Sequence, residues 1–220
     1  LPERAHAGCG GVELPTGERL TDHRFQMAGH YLGGRWRERG LHYFLETAFA
    51  EGNDHLSDQF LTAMGAEVTF QANPLYALMH ETIYADGPAD GVLPGIPGYE
   101  LSPSPAPTNW SAARVAASRP EFAPDADRLL FTGEHIFPWY YEEDPSLRPL
   151  AEVANLLAEK KDWGRLYDHE QLHKNEVPVV AAAYNPDVYV DFEHSMETAR
   201  WVGNTHVWTS KTHHHDGFGS

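Results

Sequence analysis

The chain has 220 residues, 32 acidic against 16 basic, with a formal net charge of -16 when histidines are neutral. A nucleic-acid surface needs a basic footprint, so that class of partner is excluded. Hydrophobic residues make up 41% of the chain and aromatics 12%, enough to build a core, which excludes long disorder. No apolar run approaches the roughly 18 residues of a membrane span. The single cysteine, Cys9, cannot close an internal disulfide, so the chain fits a reducing compartment or does not depend on bridges, and a cytoplasmic setting is the expectation.

In chain order, Leu41, Phe44, Leu45, Ala48 and Phe49 fall on one stripe at helical spacing and predict a helix over 41–50. Asn53-Asp54 offers an N-cap for a second helix with Phe60, Leu61 and Met64 on its apolar face, ending at Gly65. Pro74 suits the first turn of a third helix that runs through LYALMHETIY. Residues 87–108 hold ten Gly or Pro among 22 positions and read as an irregular loop. Two further helices are expected from NWSAARVAASR and from Ser146 into AEVANLLAEKK. Near residue 175 the pattern changes. Val177 to Tyr184, VPVVAAAY, is a short apolar run between prolines and reads as a strand buried on both faces. A polar turn, Asn185-Pro186-Asp187, an amphipathic segment from Phe192 to Val202 and a second strand, Thr205 to Ser210, follow it. Strand, helix, strand in this order is the rhythm of a βαβ unit, so the chain reads as α/β with a parallel sheet at its end. Functional side chains of such sheets gather in the loops beyond the carboxyl ends of the strands, where both Asp187 and His215 fall.

The segments LYALMHETIYA, LLFTGEHIFPWYYEEDPSLRPL, YDHEQLHKNEVPVVAAAYNPDVYVD and the closing HHHDG resemble, in order and spacing, prolyl aminopeptidases (proline iminopeptidases) of the actinobacterial kind. That family comprises serine peptidases of the α/β-hydrolase fold. The resemblance covers nearly the whole chain outside 87–108, which reads as an insertion. It implies a mostly helical cap over residues 1–174 and the last strand–helix–strand unit of the hydrolase core over 175–220. It also implies Asp187 as the catalytic acid, His215 as the catalytic histidine, no cofactor or metal, and peptides with an N-terminal proline as substrates. For the substrate's free α-ammonium it points to Glu81 and Glu134, with His80 or Glu142 as alternative counterparts. A unit-charge pair at about 4 Å is worth about 1 kcal/mol in bulk water and about 4 kcal/mol at an effective dielectric near 20, so a water-excluding lid is the place for it. Phe137, Trp139, Tyr140 and Tyr141 either form an apolar slot for a pyrrolidine ring or serve as cap core.

A serine nucleophile in this fold sits in a G-x-S-x-G elbow between a strand and a helix. The serines here are Ser57, Ser102, Ser104, Ser111, Ser118, Ser146, Ser195, Ser210 and Ser220, and none has that setting. Because the elbow precedes the acid in the order Ser, Asp, His, the 220 residues are expected to be the C-terminal portion of a longer hydrolase, inactive alone. Two readings compete. His169-Glu170-Gln171-Leu172-His173 matches the zinc motif H-E-x-x-H, with Glu193 as a candidate third ligand. Fourteen histidines raise the frequency of accidental matches, the flanks are polar where zincin helices are apolar-backed, and His213 to His215 could hold adventitious metal. The other alternative is a non-catalytic binding module, in which the acidic cap and the Pro-rich loop engage a partner independently of Asp187 and His215. Oligomeric state is left open.

Overall fold

A computed structural model describes residues 11–49, 55–87, 107–123 and 126–219. The described chain opens with an antiparallel hairpin, β1 (Val12–Glu13) and β2 (Arg19–Leu20), that drops Leu14 and Leu20 into the core. These strands lie in the region expected to be helical cap, and two-residue strands carry no alternation for a sequence reading to detect. The Thr21 hydroxyl accepts from the Arg24 N–H at 3.2 Å and starts α1 (Asp22–Gln26), which passes directly into a 3₁₀ segment, Met27–Gly33. α2 (Arg35–Glu46) starts earlier and stops earlier than the 41–50 stripe suggests, because Phe49 leaves the helix for an antiparallel bridge with Leu56. α3 (Asp58–Glu67) is capped by Ser57, whose hydroxyl accepts from the Phe60 N–H at 3.1 Å. The expected cap, Asn53-Asp54, lies outside the described residues, as does 88–106 of the Gly/Pro-rich stretch. α4 (Pro74–Met79) begins at its proline and tightens into a 3₁₀ turn, His80–Tyr84. α5 (Ser111–Ala117), a single turn α6 (Tyr140–Glu143) and α7 (Ala151–Glu159) complete this part.

These elements share one core, with Leu14, Phe60, Met64, Val68, Ile136 and Leu147 almost completely buried and Phe25 and Phe44 packed against Phe60. Phe137, Tyr140 and Tyr141 are also core residues. Burying a charge is costly unless it is paired or well hydrogen-bonded, and Arg24 is paired while Asp144 is hydrogen-bonded. Arg24 meets Glu18 at 2.6 Å and donates to the carbonyls of Val68 at 3.0 Å and Arg19 at 3.3 Å, tying the hairpin to the end of α3. Asp144 accepts from the Phe70 N–H at 2.8 Å and from the Ser146 N–H and hydroxyl at 2.8 and 2.7 Å.

α8 (His169–His173) leads to β3 (Val179–Tyr184), α9 (Phe192–Trp201) and β4 (Thr205–Ser210). β3 and β4 pair in parallel from Val179↔Thr205 to Tyr184↔Ser210, the βαβ unit that the pattern predicts. The burial expected on both faces of β3 is not found. Among the described residues the sheet has two strands with α9 packed against them. Val180, 80% exposed, and Trp208, 50% exposed, share by strand alternation a face that stays open. No helix among the described residues is long and apolar enough to cross a membrane.

The Arg24 pair gives a stability test. Glu18→Ala leaves a buried guanidinium without its carboxylate and should cost about 3–5 kcal/mol in urea unfolding. Glu121→Ala, which removes an exposed partner 4.0 Å from Arg119, should cost less than about 1 kcal/mol.

Candidate active site

Asp187 and His215 meet beyond the carboxyl ends of β3 and β4. The turn after β3 is closed by the Asp187 N–H donating to the Tyr184 carbonyl at 3.3 Å. The Asp187 Oδ1 then accepts two backbone N–H groups, from Tyr189 at 2.8 Å and Val190 at 3.0 Å. Its Oδ2 lies 2.9 Å from the His215 Nδ1. The carboxylate is 5% exposed and the imidazole 48% exposed. An ionised carboxylate only accepts, so the Nδ1 carries the proton and the opposite ring nitrogen is the basic one. The loop holding His215 approaches β3 closely at Gly217, where a Cβ would lie 2.7 Å from the Tyr184 ring.

A cavity of about 220 Å³, lined by neither member of the pair, adjoins the turn that follows Asp187. Its aromatic wall is Phe70, Tyr76 and Tyr140, with Phe70 stacked on Tyr76 at 6.4 Å and tilted on Tyr140 at 5.5 Å. Two carboxylates line it. Glu134 accepts from the Tyr76 hydroxyl at 2.8 Å. Glu67 accepts from the Tyr31 hydroxyl at 2.6 Å and lies 3.1 Å from the His30 Nε2. Burial and the Glu134 carboxylate push the Tyr76 phenol well above its ordinary value, so it remains a donor. The cavity adjoins the acid turn at Gly133, where a Cβ would lie 3.5 Å from the Val188 carbonyl.

The four residues singled out by sequence therefore divide. Asp187 and His215 are in contact, and Glu134 lines the adjoining cavity. Glu81 does not line it. It is 2% exposed, one oxygen accepts from the Ser111 N–H at 3.4 Å, and no donor among the described residues reaches the Oε1. Of the alternatives, His80 points its Nε2 to the Tyr84 hydroxyl at 3.0 Å, while Glu142 is exposed. Tyr140 contributes to the cavity as well as the core, and Phe137 and Tyr141 are core alone. Sequence reading missed Tyr76, Glu67 and His30, which reach the cavity from three separate elements.

The competing motifs have local partners. His169 is buried with its Nε2 3.1 Å from the Asp86 Oδ2 and its ring against Trp201, and His173 faces the Trp201 carbonyl at 3.4 Å. Among the described residues no three His, Cys, Asp or Glu side chains cluster as a metal site. The Ser210 hydroxyl lies 2.7 Å from the His213 Nδ1, but it also accepts the N–H groups of Thr212 at 3.2 Å and His213 at 3.1 Å, which makes it a turn-former. Asp191 caps α9 by accepting from the His194 N–H at 2.9 Å.

This chain is similar to proline iminopeptidases. It is 39% identical over 207 residues to the proline iminopeptidase of Aeromonas sobria, a match covering 94% of this chain and 44% of that protein. It is 32% identical over 203 residues to proline iminopeptidase aneH of Aspergillus aculeatus, covering 90% of this chain and 41% of that one. The chain thus spans less than half the length of these curated relatives. No protein-family model matches it.

Beside the cavity, His80 supplies a pH test. Burial first, and the neighbouring His135 second, push its imidazole below the ordinary 6.5, against the opposing pull of Glu134. Between the lower folded value and 6.5 the unfolded chain binds more protons, so stability present above pH 6.5 is lost as pH falls. Urea midpoints at about pH 7.5 and about pH 5.5 should show a smaller acid-induced loss in His80→Gln than in the parent chain. An equal loss in both would assign the effect to other groups.

Proposed function

We propose that the chain carries the lid and the acid–histidine pair of a serine aminopeptidase that releases N-terminal proline, with the nucleophilic serine supplied from outside these 220 residues. The observation that carries this reading is the 2.9 Å hydrogen bond between Asp187 and His215 beyond two parallel strands. The names and lengths of the two similar proteins support the substrate class and the missing elbow. With a single cysteine in the chain, a cytoplasmic placement belongs to the proposal.

In this reading the His215 Nε2 takes the serine proton as the serine oxygen attacks the prolyl carbonyl carbon. It then gives that proton to the leaving amine nitrogen as the peptide bond breaks. Water repeats the cycle on the prolyl ester, freeing proline and restoring the serine. Asp187 stays ionised throughout, holding the Nδ1 proton and stabilising the imidazolium. Glu134 receives the secondary ammonium of the N-terminal proline, and the rings of Phe70, Tyr76 and Tyr140 receive its pyrrolidine. The cavity is smaller than a drug-sized site of roughly 300–1,000 Å³, in keeping with one small ring. Glu81, the other carboxylate that the resemblance points to, lies outside this cavity and has no contact with the substrate in this reading, and no donor among the described residues reaches its buried Oε1.

The test is a chimera in which this chain replaces the matching region of the Aeromonas sobria protein. It should hydrolyse a prolyl arylamide, whereas the 220-residue chain alone should not. In the chimera Asp187→Asn should lower kcat by about 10³–10⁴-fold with KM little changed. His215→Ala should fall at least as far, and the double variant hardly further, since the two act as one unit. Asp191→Asn, which keeps an acceptor oxygen at the helix cap, should change stability by less than about 0.5 kcal/mol and leave turnover intact. Full turnover in Asp187→Asn, or a dead Asp191→Asn in a folded chimera, would overturn the assignment.

A further inference from the structure

A single hydrogen bond fixes one atom of a ring, not its plane. His215 is half-exposed and is bonded to Asp187 through the Nδ1 alone, so something else must stop the imidazole from pivoting. The Tyr189 ring meets it edge to face, with centroids 5.1 Å apart and planes at 83°. Tyr189 is itself held at both ends. Its backbone N–H donates to the Asp187 Oδ1 at 2.8 Å, and its hydroxyl donates to the carbonyl of His30. The ring is seated on Gly33, where any Cβ would overlap it. His30 and Gly33 belong to the 3₁₀ segment Met27–Gly33, and Met27 and His30 line the cavity. The His30 ring is fixed in turn by the Met27 carbonyl at 2.9 Å and Glu67 at 3.1 Å.

We propose that Tyr189 is a positioning residue that clamps the plane of the His215 imidazole to the wall of the cavity, so that acid–base pair and cavity keep one alignment. This rests on the assignment of Asp187 and His215 as the acid–base pair. Tyr189 does not touch the reacting atoms. It acts through His215, and Gly33 is required because only a glycine leaves room for the ring. The clamp joins residues far apart in sequence, two positions past the acid on one side and the segment after α1 on the other.

Nitrogen-resolved NMR of His215 in the 220-residue chain, at a pH where its ring is neutral, tests the clamp without any nucleophile. The parent chain should show one tautomer, with the proton on Nδ1 and slow to exchange with water. Tyr189→Leu should mix the two tautomers and speed that exchange by at least about tenfold, while Tyr189→Phe, which keeps the ring edge, should stay within about threefold of the parent. Should Tyr189→Leu not fold, Gly33→Ala reads the same clamp from its other side and should mix the tautomers in the same way. Parent-like spectra in folded Tyr189→Leu, or in Gly33→Ala, would overturn the positioning role. Mixed tautomers already in the parent, or no change in Asp187→Asn, would instead overturn the acid–base pair on which the proposal rests.

Discussion

The Asp187 carboxylate holds the site together because its two oxygens take donors from different parts of the chain. One oxygen is saturated locally by the N–H groups of Tyr189 and Val190, which shapes the turn after β3. The other takes His215 from the loop after β4. Both loops can reach it because the parallel register ends with Tyr184 opposite Ser210, so the two strands stop level. A one-residue slip would turn Tyr184 to the other face and separate the loops, which makes the register a condition of the Asp187–His215 contact.

The electrostatics of the cavity favour a cation. The chain carries a net charge of -16, and Glu67 and Glu134 bring two carboxylates to one small space. Burial pushes His80 and His135 toward their neutral forms, so they do not cancel that charge. Burial likewise keeps the Tyr76 phenol protonated, and it donates to Glu134 without adding negative charge of its own. Fixed dipoles and carboxylates in a partly enclosed space act more strongly than the same groups in water.

The βαβ unit and the Asp187–His215 pair were legible in the sequence because their signals are local: an apolar run, a polar turn, an amphipathic helix and a second run. Pro74 was legible for the same reason, acting on the helix it starts. The openness around Val180 was not, since an apolar run does not state how many layers will cover it. The cavity was only partly legible. Glu134 came from a recognisable segment, but Tyr76, Glu67 and His30 converge from α4, α3 and the 3₁₀ turn after α1, a juxtaposition set by the core. Glu81 was expected beside Glu134 and instead lies buried against the N–H of Ser111, outside the cavity lining. Tyr189 carries no motif, and its contacts with His30 and Gly33 exist only after folding.

The central claim is that a reader of N-terminal proline and an acid–base pair share one place in this chain. Titrating the isotope-labelled 220-residue chain with L-prolinamide, against N-acetyl-L-prolinamide as the control lacking the ammonium, tests it most directly. The account predicts that L-prolinamide alone shifts the resonances of Tyr76 and Glu134 together with those of Tyr189 and His215. Equal shifts with the acetylated compound, or shifts confined to residues away from both the cavity and the pair, would contradict it.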